Sequence, residues 1–404
     1  MNEIVSLNSY SSYKPVDLHW LDKIPAKWEL KRVKDLAFYQ SGEYINALDF
    51  EEEKIYPVYG GNGLRGYADR FNTNGNYVLI GRQGALCGNI NYADGRFWAT
   101  EHCVVVYHKK SINVKWLGSM LEVMNLNQYS QSTAQPGLSV DRIKRLEIPL
   151  PSHTEQIQIA NYLDTKTQAI DKKIKLLTTK IEYYKELRKT IINNAIYQGV
   201  PNDKSKPLKQ SGIHYIPDIK ENWKIVRVKD LFNIGRGRVI GQDLLVDNGK
   251  YPVYSSQTEN NGCLGYIETY DFNADMLTWT TDGANAGTVF RRSGKFNCTN
   301  VCGTLLPIRK NLDLNYMVYA LQESAKHNKR IDTNGAKIMN NEMAIIQIPF
   351  PPKEEQTEIA TYLDAKTSTI DKITTNIQTQ IETLKELRKT LINDVVTGKV
   401  KVIE

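Results

Sequence analysis

Amide and guanidinium side chains recur in glycine-rich stretches of this sequence, a combination suited to recognising flat, hydrogen-bonding rings. In the first part of the chain these are Asn62, Arg65, Arg82, Gln83, Asn89, Arg96 and Gln135. Further on they are Arg236, Arg238, Gln257, Asn260, Asn285, Arg291, Arg292 and Lys337. Arg matches the two acceptors of guanine, and Asn or Gln the donor and acceptor of adenine, each through two parallel hydrogen bonds. Arg82-Gln83-Gly84 is the sharpest instance, because it leaves the apolar run Tyr77-Val78-Leu79-Ile80 at a turn. The alternative for each is an ordinary solvated side chain, and only a minority are expected to touch a ligand. Tyr59, Tyr67, Tyr254 and Tyr266 read as packing residues more readily than as stacking platforms.

Catalytic signatures are missing. No Asn/Asp-Pro-Pro-Tyr/Phe motif marks an amino-methyltransferase, and no G-x-x-x-x-G-K-[ST] loop would cradle ATP. Gly235-Arg236-Gly237-Arg238-Val239-Ile240-Gly241 is glycine-rich, but its spacing misses G-x-G-x-x-G. It reads as a basic turn for phosphate contact, with a solvated loop as the alternative. Asp218, Glu221 and Lys224 have the wrong spacing for a nuclease. Cys87, Cys103, Cys263, Cys298 and Cys302 are odd in number, and no nearby His completes a zinc set, so buried thiols are expected and no metal.

The composition, 41% hydrophobic and 24% charged, is that of a globular protein. The apolar runs are strand-sized, far short of a membrane span, and the first eight residues carry no secretory pattern, so a cytoplasmic chain is expected. The net charge of +7 favours an anionic partner only weakly.

The elements that must position these side chains are written twice. Residues 155–193 align without a gap with residues 355–393, and both copies contain the run KELRKT. Trp28, Arg32 and Tyr56-Pro57-Val58-Tyr59 return as Trp223, Arg227 and Tyr251-Pro252-Val253-Tyr254. A period this long indicates duplicated domains. Ile170, Ile174, Leu177, Ile181 and Tyr184 step by four and three, as a heptad seam does, and Ile370, Ile377, Ile381 and Leu384 share the register. Such seams either pair with each other, antiparallel, or pack on their own globular domains. Short apolar runs divided by Gly and Asn predict mostly β domains.

The closing motif of each globular segment carries a family resemblance. Leu146-Glu147-Ile148-Pro149-Leu150-Pro151 with Glu155-Gln156 and Ile159-Ala160 matches Ile346-Gln347-Ile348-Pro349-Phe350-Pro351 with Glu355-Gln356 and Ile359-Ala360. Ser211-Gly212-Ile213-His214-Tyr215-Ile216-Pro217 up to Trp223 looks like the lead-in to a second domain, with His19-Trp20 and Trp28 as its worn first copy. Over nearly its whole length the chain resembles the specificity subunits of type I restriction–modification systems.

The resemblance implies an α+β fold with two mostly β target-recognition domains, separated by two long antiparallel coiled-coil helices in a pseudo-two-fold internal repeat. The expected boundaries are 1–151 and 200–351 for the recognition domains, and 152–199 and 352–404 for the helices. Each domain would read half of a split double-stranded DNA site, while the helices set the spacer and dock two modification (methyltransferase) subunits. Restriction (translocase/endonuclease) subunits would complete the complex. S-adenosylmethionine, ATP and Mg would be held by those partners, and this non-catalytic chain would hold no cofactor.

Overall fold

The computed structural model describes residues 9–84, 86–130, 137–201, 207–332 and 335–402. These form two compact units, Met1–Thr178 with Gln378–Glu404, and Thr179–Ile377. The division falls inside the two long helices, His153–Gln198 and Lys353–Val396. Each unit therefore holds a globular domain with the start of one helix and the end of the other.

In the first unit, an antiparallel sheet places Cys103–His108 between Ala37–Ser41 and Tyr77–Gly81, with Ile90–Ala93 at the edge. A second sheet pairs Tyr56–Gly60 with Gly63–Ala68 and, in parallel, with Arg96–Ala99. Alternation along a strand sends successive side chains to opposite faces. Val78 and Ile80 thus pack with Val104, Val106 and the helix residues Trp116, Leu117, Met120 and Leu121. Leu79, Cys103 and Val105 turn the other way, onto Phe97 and Ala99 of the second sheet. Burial on both faces explains why the central strands read as unbroken apolar runs.

The second unit repeats this order. Phe232–Arg236, Cys302–Pro307, Met276–Thr280 and Val289–Arg292 form its first sheet. Cys263–Ile267, Tyr251–Tyr254, Lys295–Cys298 and Phe272–Asn273 form the second. Tyr316, Met317, Ala320 and Leu321 of the helix Leu314–His327 pack on Leu277, Trp279 and Leu305.

The long helices close both cores. Ile159, Ala160 and Leu163 from the start of one helix meet Ile392, Val395 and Val396 from the end of the other in the first unit. Ile359, Ala360 and Leu363 meet Ile192, Ala195 and Ile196 in the second. Start against end makes the helix segments antiparallel within each unit. Gly199 and Gly398 stop the helices with φ of +82° and +75°, a left-handed backbone that favours glycine.

The Glu-Gln motifs lock each domain to its helix. Gln156 accepts from the Asn113 backbone N–H at 2.9 Å and donates to the Pro151 carbonyl at 3.1 Å. Gln356 does the same with Asp313 and Pro351, at 2.9 Å each. The Trp28 and Trp223 indoles donate to Glu155 and Glu355 at 3.0 Å. Both glutamines are buried, so Gln156→Leu or Gln356→Leu strands a buried donor and acceptor. Each change is expected to cost about 1–3 kcal/mol, read as a lowered urea midpoint. An unchanged midpoint would mean that the amides contribute nothing.

Candidate nucleic-acid interface

A cleft of roughly 610 Å³ in the first domain is lined by Asn62, Arg65 and Gln83, with Gly61, Gly84 and Gly137. Asn89 joins them through a 3.3 Å bond from its amide to Asn62 Oδ1. Gly84 turns with φ of +89° in open space, which lets the chain reverse directly after Gln83. Gln83 is also held by a backbone bridge to Gly137.

The cleft contains a pair that the sequence reading did not single out. His102 Nδ1 lies 2.8 Å from Gln83 Oε1, and its Nε2 lies 3.2 Å from Glu101 Oε1. The imidazole therefore sits between a carboxylate and the amide, and with its Nδ1 as donor to Oε1, the Gln83 NH2 is the group left to meet a ligand. Nothing local in the sequence signals this, because 19 residues separate Gln83 from His102.

Other candidates lie apart from the cleft or are engaged elsewhere. Arg65 sits over the Phe50 ring at 5.3 Å and Arg96 over Phe71 at 5.0 Å, the latter outside the cleft. Gln135 lies outside the described residues. Arg82 donates to Ser41 Oγ at 3.2 Å.

In the second domain Gly283 makes the equivalent turn, with φ of +84°, after Asp282, whose backbone forms an isolated strand bridge with Lys337. Asn285 donates to Thr258 Oγ1 at 3.3 Å, tying that turn to the loop of Gln257 and Asn260. Gln257 donates to the Cys263 carbonyl. Arg236 reaches Thr281 Oγ1 at 3.5 Å. Arg238 is paired with Asp271 at 2.9 Å and Arg291 with Asp275 at 2.7 Å. Arg292 is inside the domain, 3% exposed, sandwiched between Tyr254 and Phe290, and burial pulls its pKa down.

On the helices, Ile181, Ile370, Ile377 and Ile381 are buried, while Ile170, Ile174, Leu177, Tyr184 and Leu384 are half-buried. Arg188 meets Asp371 at 3.2 Å in the second unit, and Arg388 meets Asp171 at 3.1 Å in the first. All five cysteines are thiols. Burial pushes Cys103 up to about 12, and a hydrogen bond to Cys302 together with burial raises Cys298. Among the described residues, no three His, Cys, Asp or Glu side chains are grouped to hold a metal ion. Among the same residues no helix is long and apolar enough to cross a membrane.

Comparison with known proteins bears on this architecture. The family model for the type I restriction modification DNA specificity domain matches twice, at residues 25–182 and 220–383. A type I restriction enzyme specificity subunit from Escherichia coli is 46% identical over 138 residues, covering 33% of this chain and 34% of that one. The match thus spans about a third of that relative's length. A putative type I specificity subunit from Mycoplasma pneumoniae is 32% identical over 252 residues, covering 62% of this chain and 86% of that one. The fold is also that of a solved chain from a study of complex assembly and conformational transition in the type I system. That chain has a TM-score of 0.70 at 15% identity, with 93% of this chain and 99% of that one covered. The HsdS subunit of Thermoanaerobacter tengcongensis gives a TM-score of 0.53 at 14% identity, over 93% and 98%. Two matched copies of one domain, each carrying its own closing motif and long helix, mean that the chain belongs to the type I restriction–modification DNA specificity family, as a specificity subunit with two target-recognition domains.

Proposed function

We propose that each recognition domain reads one half of a bipartite double-stranded DNA site. The paired helices fix the unread spacer and dock two methyltransferase subunits, to which restriction subunits add. The chain itself is non-catalytic and acts in the cytoplasm, and S-adenosylmethionine, ATP and Mg belong to the partners.

One observation carries this reading: the same turn is built twice and presents different polar groups. In the first domain it offers Gln83 backed by His102 and Glu101. In the second it offers Asp282 across from Lys337. An amide and a carboxylate prefer different base edges, as expected of two readers with different half-sites. The base-reading set is drawn from the candidates around these turns: the exposed Asn62, Arg65, Gln83 and Asn89 in the first domain, and in the second the exposed Asn260 and Asn285 with the half-buried Gln257. Arg238 and Arg291, neutralised by carboxylates, are better suited to shaping the surface.

Sequencing the methylated bases of a host with and without this gene tests the proposal. The expected difference is one split motif, two short specified blocks around an unspecified spacer. A single continuous motif, or no difference beside active partner subunits, would rule the proposal out.

A further inference from the structure

The two domains share a second feature, distinct from the turns that differ. Ser41 and Arg236 occupy one structural position: Ser41 is opposite Val104 and Arg236 opposite Gly303 in matching strand pairs. The next residues, Gly42 and Gly237, donate to the carbonyls of Cys103 and Cys302 at 3.0 Å. A Cβ at either glycine would run into the carbonyls of Ala99 and Thr100, or of Cys298 and Thr299. Arg82 and Thr281 occupy the facing position. Their N–H groups donate to the carbonyls of His102 and Val301, at 2.8 and 3.2 Å. Their own carbonyls accept from Leu138 and Ile338, at 2.9 and 2.8 Å.

Both domains thus hold an arginine–hydroxyl pair at this point, with the partners exchanged. In the first, Arg82 donates to Ser41 Oγ at 3.2 Å, and in the second, Arg236 donates to Thr281 Oγ1 at 3.5 Å. Neither guanidinium has a carboxylate within 4.0 Å among the described residues, whereas Arg238 and Arg291 do. Each domain sets one guanidinium between the same two backbone positions, carried by opposite strands.

Resting on the reading of these domains as DNA readers, we propose that Arg82 and Arg236 are equivalent anchors, each gripping a backbone phosphate beside its half-site. Groups that read bases differ between the domains, as Gln83 and Asp282 do. A group kept in place while its strand changes answers to something common to both half-sites, and the phosphate backbone is what every sequence shares. A guanidinium steadied by one hydroxyl keeps donors for a phosphate oxygen, and no local carboxylate competes.

The test uses the full chain assembled with its methyltransferase subunits, and a duplex bearing the motif that the complex methylates, titrated across KCl concentrations. Arg82→Thr is expected to weaken binding about tenfold. It should also lower the salt slope by about one, with the methylated motif unchanged. Adding Ser41→Arg to Arg82→Thr copies the second domain's arrangement and is expected to recover both losses. Arg236→Ser gives an independent reading in the other domain, at an exposed side chain, and should repeat the first result. A new base tolerated in the motif of either single variant would make the arginine a base reader and overturn the anchor. Unchanged affinity in both single variants, or no recovery in the exchanged pair, would overturn it as well. A wild-type complex without a split motif would instead defeat the two-reader function, a separate outcome.

Discussion

Ile181→Asp and Ile381→Asp are each expected to abolish assembly with the methyltransferase subunits while both recognition domains stay folded. The two isoleucines hold the same position in the two helix copies, and each is buried. Neither belongs to a domain core, which the helices reach through residues 159–163 and 392–396 in one unit and 192–197 and 359–363 in the other. An aspartate at either site is a charge in an apolar seam without a partner built for it. The cost is on the order of 3–5 kcal/mol, enough to open the helix pair locally. Native mass spectrometry of the co-expressed complex reads assembly, and near-ultraviolet circular dichroism reads the domains. Full assembly in both variants would mean that the helices do not pair along this line.

The second large effect is a wholesale change of one half of the methylated motif. Exchanging residues 33–146 for the matching segment of a relative is expected to replace the first half-site and leave the second intact. The junctions follow from the fold: Glu29–Arg32 pairs with Glu147–Leu150, and Trp28 bonds to Glu155, so both closing strands stay with the helix they grip. Each wrong base pair costs about 1–3 kcal/mol, roughly additively for separated positions. A half-site of several bases is therefore switched completely, not merely blurred. Lengthening both helices by one small insertion is the complementary change, expected to alter the spacer alone. The methylated sequence recovered from cells carrying each variant decides. Two altered half-sites, or an altered spacer alone, after the domain exchange would end the two-reader proposal.

The sequence carried the architecture because its signals are local. A gapless repeat, a four-three seam and unbroken apolar runs each state an element within about forty residues, and those runs became the doubly buried strands Tyr77–Gly81, Cys103–His108 and Met276–Thr280. The interface was less legible because exposure and pairing are settled by distant residues. Arg238 meets Asp271 from 33 residues away, and Arg291 meets Asp275 across a hairpin. Arg292, chemically identical to its neighbour, points inward because a strand alternates. His102 reaches Gln83 only because Cys103–His108 pairs with Tyr77–Gly81 across two intervening strands. The exchange of Ser41 and Arg82 for Arg236 and Thr281 was hidden for a similar reason. The two halves of each pair lie on different strands at unequal shifts, so a linear comparison sees two unrelated substitutions.

The arrangement of helix starts and ends also orders the events of biosynthesis. Ile392, Val395 and Val396 complete the core around Trp28, Ile148 and Leu163, yet the ribosome makes them more than 200 residues after Leu163. At about 5–20 residues per second, the first domain waits on the order of ten to fifty seconds after its own strands emerge. During that interval its apolar floor is open to chaperones and proteases. The second domain waits far less, because Ile192, Ala195 and Ile196 already exist and Ile359, Ala360 and Leu363 follow its last strand at once. Two domains alike in fold are thus unequal at birth, and a nascent chain arrested between Leu363 and Ile392 exposes the first domain to degradation while the second already has its closing residues.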